Sequence, residues 1–216
     1  MRDMEGLSMD TEGTILLTDE HARCEAVQAS KEMLAEKILK DEILDGSAFE
    51  VVLGSRYCDT DRLADFAWKN FSATPLGWPR VQAIVDFVHS RIVFNYEKAD
   101  PLRTAFGGFN DRTGVCRDFA HLAITLCRCM SIPTRYCTGY LGDIGVPKDP
   151  NPMDFSAWCE VYFSGRWCTV DARHNTPRIG RILMATGRDA TDVDLSTAFG
   201  PAVMKRFEVA TEELTG

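Results

Sequence analysis

What this chain lacks narrows the field before any motif is read. Of its 216 residues, 24 are Lys or Arg against 32 Asp or Glu, a formal net charge of −8. Without a basic surplus there is little to neutralise phosphates, so no nucleic acid is expected among its partners. No apolar run approaches a membrane span, and the N-terminus lacks the basic-then-apolar layout of a secretory leader. The expectation is therefore no membrane association and a cytoplasmic location. There are four histidines, and no Cys-x-x-Cys pair occurs among the eight cysteines. Cys127 and Cys129, two apart on a helix, point about 200° from each other and make a poor metal site. No metal and no cofactor is expected. At this length a hydrophobic core needs no disulfide staples, so the thiols read as reduced, with Cys127, Cys137, Cys159 and Cys168 as small buried hydrophobes.

The charge that is present is unevenly placed. Residues 1–50 hold 13 acidic against 5 basic residues, while residues 51–216 balance at 19 against 19. An acidic, mostly helical N-terminal segment over 1–54 followed by a core domain over 55–216 is the simplest division. Within the first, 1–18 reads as a loosely ordered lead-in and 21–44 as an amphipathic helix or helix pair. In the second, Thr60 is expected to cap a helix through Asn70 that buries Leu63, Phe66 and Ala67. A Pro75–Pro79 turn leads to a helix from about Arg80 to Arg91, with Ile84, Val85, Phe87 and Val88 facing the core. A helix from about Val115 to Met130 is stopped by Ser131-Ile-Pro. The period then changes. Arg135–Tyr140 reads as a strand, Gly142–Pro152 as a long surface loop, and Asp154–Phe163 with Arg166–Asp171 as a hairpin turning on Ser164-Gly165. Further strands are expected at Ile182–Ala185 and Val203–Val209. Helices first and antiparallel strands after make an α+β fold, with the Cys116 helix packed on the sheet.

The residue that carries chemistry in this frame is Cys116. A glycine-containing turn delivers it into the first turn of its helix, where unpaired amide N–H groups and the positive end of the helix dipole stabilise a thiolate. This is how a cysteine nucleophile is built.

Three runs carry a resemblance: Gly114-Val-Cys-Arg-Asp-Phe-Ala-His-Leu, Ile132-Pro-Thr-Arg-Tyr-Cys-Thr-Gly-Tyr-Leu, and Asp154-Phe-Ser-Ala-Trp-Cys-Glu-Val-Tyr-Phe-Ser-Gly-Arg-Trp-Cys-Thr-Val-Asp. In order and separation they resemble the core of the transglutaminase-like superfamily, in particular the bacterial transglutaminase-like cysteine peptidases, over roughly residues 55–200. Those proteins often carry an N-terminal β-sandwich, for which the first 50 residues here look too short and too helical. The resemblance implies a papain/transglutaminase-like core and a triad of cysteine, histidine and aspartate. Cys116 matches the nucleophile and Asp171 the orienting acid. The histidine of the usual His-Ala-Trp run falls on Ser156, and serine does not take a proton from a thiol at neutral pH.

Hairpin register tells what that substitution leaves behind. If Phe163 pairs with Arg166 across the turn, paired positions sum to 329, so Trp158 opposes Asp171 and Ser156 opposes Arg173. Alternation then puts Ser156, Trp158, Glu160, Asp171 and Arg173 on one face. His174 points to the opposite face if the strand continues, and turns inward only if pairing breaks at Arg173. His121 lies about 140° around the helix from Cys116 and reads as a packed histidine. His89 and His21 have no motif context. Arg173 is a candidate positive charge for the cleft. Trp158 is either a cleft wall or sheet packing, and Glu160 either a substrate contact or an ion-paired strand residue.

Three functional readings remain open, the first two with a peptide or protein as substrate or ligand. The first is a cysteine-dependent acyl-transfer enzyme, most simply a peptidase or amidase, in which Cys116 forms a thioester with its own N–H in the oxyanion hole. Asp171 would orient His174 or a water held by Ser156, and the 142–152 loop would form a specificity rim. The second is an impaired member using the cleft to bind a peptide or protein. A redox-responsive thiol is a third, needing a resolving cysteine near Cys116.

Overall fold

The computed structural model describes residues 53–148 and 155–194, residues 200, 201, 203, 205–207 and 209–211, and the backbone of 8–9 and 15–16. The chain divides into two compact units, Met1–Gly46 and Ser47–Gly216. In the first, β1 (Ser8–Met9) runs antiparallel to β2 (Ile15–Leu16), inside the segment that reads as a loose lead-in. The helix expected over 21–44 lies outside the described residues.

The second unit begins with α1 (Thr60–Phe71), which buries Leu63, Ala67 and Phe71 at helical spacing. Its N-cap is Asp59 rather than Thr60, and Phe66 is only partly buried. Asp59 makes no side-chain cap. Its carboxylate instead accepts from Thr104 Oγ1 at 2.9 Å and the Phe106 N–H at 3.0 Å, tying the helix start to the next segment. Helix α2 (Trp78–Arg91) starts two residues earlier than the sequence implies, with Pro79 in its first turn where a missing N–H costs nothing. Arg80 is buried and donates to the Ser72 and Thr74 carbonyls, closing the Pro-Gly turn.

Two short pieces follow that periodicity does not reveal: α3 (Ala105–Asp111), and a parallel ladder of β3 (Val93–Phe94) with β4 (Thr113–Gly114). A seven-residue helix containing two glycines has too little intrinsic propensity to announce itself. Helix α4 (Cys116–Cys129) is buried on every side from Asp118 onward, packed between α1, α2 and α3 and strands β5 and β6. Burying each large apolar side chain there contributes about 1.5–3 kcal/mol.

The sheet comprises β5 (Thr134–Leu141), β6 (Ser156–Phe163), β7 (Arg166–Val170) and β8 (Arg181–Gly187). It is antiparallel throughout in the order β7-β6-β5-β8. The β6–β7 register is the one hairpin arithmetic gives, Phe163 opposite Arg166 through Cys159 opposite Val170. Ala157, Cys159, Val161 and Tyr136 join the core cluster with α4, while Trp158 and Cys137 are buried outside it, so the even positions of β6 face away from the helix. At Gly139, opposite Ser156, β5 bulges against β8, and a Cβ there would overlap the Ile182 carbonyl. The strand expected over Val203–Val209 is not formed among the described residues, where Val209 makes an isolated bridge. The fold is α+β, with the Cys116 helix on an antiparallel sheet, the layout that the resemblance implies.

Candidate active site

Cys116 is the first residue of α4, after an extended Val115 at the N-cap. Asp118, two residues on, is buried and turns back. Its Oδ2 accepts the Val115 N–H at 2.8 Å and Arg103 Nη1 at 3.1 Å. Burial is the strongest influence on this carboxyl and raises its pKa despite those two donors. Gly114 is required by this cap, because a Cβ there would collide with the Asp118 carboxylate. The half-buried Cys116 Sγ lies 3.9 Å from the Phe155 carbonyl oxygen, which places the thiol beside the start of β6. The next residue is Ser156, 7% exposed, with its carbonyl accepting Thr138 Oγ1 at 3.3 Å.

Beyond the end of β7 the structure corrects the strand boundary. Pairing stops at Val170, so Asp171 lies outside the strand and its carboxylate folds the following turn around itself. Asp171 Oδ1 accepts the N–H groups of Arg173 at 3.0 Å and His174 at 3.2 Å, and its carbonyl accepts the Asn175 N–H at 2.8 Å. This reversal brings the His174 ring back, with Nδ1 2.8 Å from Asp171 Oδ2. Strand parity therefore does not govern His174, because the strand has ended before it. Arg181 Nη2, from the first residue of β8, reaches the same Oδ2 at 2.5 Å. Burial alone would raise the Asp171 pKa. The His174 and Arg181 hydrogen bonds and charges together outweigh it and hold the carboxyl well below the usual carboxylate range.

Helix α2 pins this turn from outside. His89 Nδ1 is 3.1 Å from both the Ala172 and Arg173 carbonyls, so Nδ1 carries the proton. Asn175 bonds Gln82 and Asp86. The Arg173 guanidinium rests 3.6 Å over the Phe94 ring, and Phe94 pairs with Gly114, two residues before Cys116. Of the sequence-derived candidates, Asp171 and His174 are thus in direct contact. Ser156 follows the residue that meets the thiol. Glu160 is engaged elsewhere, accepting Arg135 Nε at 2.8 Å, with Arg135 stacked on Trp167. Trp158 is 2% exposed beneath Arg181, whose guanidinium is 5.0 Å from its ring centre, so it is packed rather than a cleft wall. Sequence reasoning missed Arg181 and His89. Neither sits in a motif, and only the ended strand and the helix crossing bring them in.

His121 is fully buried, its ring stacked on Tyr57 and tilted against Tyr136, with Nε2 accepting the Ala190 N–H at 3.2 Å. It belongs to the core, as its position around the helix implies. No cluster of three or more His, Cys, Asp or Glu suited to a metal ion occurs among the described residues.

Residues 68–172 match the family model of the transglutaminase-like superfamily. A solved structure from Cytophaga hutchinsonii, provisionally described as a cysteine protease, is 39% identical, with a TM-score of 0.67 over 73% of this chain and 53% of that one. An uncharacterised protein of Mycobacterium leprae is 38% identical over 84 residues, 37% of this chain and 29% of its own length. The periplasmic domain of TgpA from Pseudomonas aeruginosa is 20% identical with a TM-score of 0.49, over 62% of this chain and 51% of that one. The chain thus spans about half, or less, of the length of these relatives. Fold and family model agree over the middle of the chain: residues 68–172 form a transglutaminase-like superfamily domain.

Proposed function

We propose that this protein is a cysteine-dependent acyl-transfer enzyme, a peptidase or amidase, with Cys116 as nucleophile and His174 in place of the histidine usual at position 156. The observation that carries this reading is the 2.8 Å contact of His174 Nδ1 with Asp171, at the end of the sheet where β6 begins beside the thiol. With the proton held on Nδ1 by the carboxylate, Nε2 is the acceptor. The thiol proton passes to Nε2, and the thiolate attacks the carbonyl carbon of a peptide or carboxamide. The Cys116 N–H, in the first turn of the helix, takes the oxyanion. The C–N bond breaks as the imidazolium returns its proton to the leaving amine. Water, deprotonated by the same imidazole, then attacks the thioester to give the acid and free thiol.

A specific observation favours the second class. Position 156 carries a buried serine, and Arg181 competes with His174 for one carboxylate oxygen. A cleft so arranged would bind a peptide without turning it over. Iodoacetamide labelling of Cys116 against pH, read by peptide mass spectrometry, separates the two. An activated thiol titrates well below the free value of about 8.5, and His174→Ala raises that midpoint. Labelling only near 8.5, unchanged by the mutation, would overturn the enzyme reading in favour of the binding module.

A further inference from the structure

A cavity of about 350 Å³ opens at the outer edge of β7, between α2 and residues 175–178. One wall is apolar, from Trp78 and Val85. The opposite side carries Arg178 and Arg181, and Asp171 forms part of the lining. Both arginines are largely buried, with side chains 9% and 13% exposed. Each is only partly used. Arg178 Nη2 bonds the Gly142 carbonyl and Asp143, and Arg181 Nη2 bonds Asp171. Arg178 Nε and Arg181 Nη1 are buried with no hydrogen-bond partner. Buried donors are almost always satisfied, and these two lie behind the cavity lining, so a turn of either guanidinium toward the cavity would bring an unspent donor to an acceptor there. The planar donor fork of arginine matches a carboxylate, and the volume suits one amino-acid residue with a short apolar portion against Trp78.

We propose that this cavity is a subsite for a carboxylate-bearing residue of the substrate, anchored by Arg181 and Arg178. It rests on the acyl-transfer reading for its role in turnover, but not for its binding. Because Arg181 holds both the subsite and Asp171, an occupying carboxylate draws the guanidinium toward the cavity and leaves the Asp171 oxygen to His174. The enzyme would then act next to a terminal carboxylate, in preference to mid-chain bonds.

The test uses the full chain carrying Cys116→Ala, titrated by calorimetry with N-acetyl-L-alanine, its amide and inorganic phosphate, with the His174 ring followed by NMR. The acid should bind saturably and shift the His174 resonances, and the amide at least about tenfold more weakly. Arg181→Met should remove binding. So should Thr169→Trp, which fills the cavity from an exposed strand position and leaves both arginines in place. Absence of binding, equal affinity for acid and amide, equal affinity for phosphate, or binding that survives Thr169→Trp would each overturn the subsite. Acid binding in a protein whose Cys116 never forms a thioester would leave the subsite standing and remove the enzyme reading instead.

Discussion

The two ends of helix α4 carry the same residue type and put it to opposite uses. At the N-terminus Cys116 is half-buried in the first helical turn, with a 3.9 Å contact to the Phe155 carbonyl. Three turns on, Cys127 and Cys129 are sealed in the core, and burial pushes both thiols up to about 12. Cys58, packed against the same helix, is pushed up to about 11 by the same cause. Between the C-terminal pair lies Arg128, 3% exposed, donating to the Thr134, Leu53 and Arg188 carbonyls and to Ser55 Oγ. That end is a clamp holding the chain on either side of the helix. A thiol's reactivity here follows from where on the helix it sits, because desolvation disfavours the thiolate and unpaired N–H groups favour it.

Substitution at each end should separate chemistry from architecture. Cys116→Ala should abolish thioester formation, followed by trapping with hydroxylamine, while circular dichroism and the urea midpoint stay near those of the parent. A collapsed fold would mean that the N-terminal thiol is mainly a core residue and that the contrast between the ends is false. Arg128→Met should do the reverse. It strips the donor from the buried Thr134 carbonyl and from the part-buried carbonyls of Leu53 and Arg188, so a loss of about 2–3 kcal/mol is expected in urea unfolding. Cys116 in the surviving folded fraction should still label faster than Cys127. An Arg128→Met protein of unchanged stability would show that the clamp is ornamental.

The same contrast marks what the sequence could disclose. Helix periodicity, the Ser164-Gly165 turn and strand alternation are local signals, so α4, the β6–β7 register and the shared face of Ser156 and Trp158 were legible before the structure. The turn at 171–175 was not. Its shape depends on one carboxylate accepting two following N–H groups, and on His89, Gln82 and Phe94 bracing it from α2 and β3. Those are contacts across 79 to 93 residues of chain, for which no period exists. Arg181 escaped for the same reason: it begins a strand that pairs with β5, yet its guanidinium serves Asp171 beyond β7. Glu160 and Trp158 shared the correct face, but a face says nothing about which neighbour claims a side chain first.

The smallest expected effect lies midway along α4. Burial, then the positive charge of Arg117, pushes the His121 pKa well below its ordinary value near 6.5, with Asp189 opposing and Arg128 adding to the shift. The native state therefore keeps this imidazole neutral, while the unfolded chain binds a proton below about 6.5. Stability supplied by the neutral ring is fully present above that pH and is lost as pH falls, by at most about 1.4 kcal/mol per unit. His121→Phe keeps the ring contacts with Tyr57 and Tyr136 but strands the Ala190 N–H, so about 1–2 kcal/mol should be lost at pH 8. The gap to the parent should then close toward pH 5, because only the parent carries the proton penalty. Urea midpoints at pH 8, 6.5 and 5 read this directly. A gap that stays constant would mean His121 titrates alike in both states, and that the middle of the helix is as open to water as its N-terminal end.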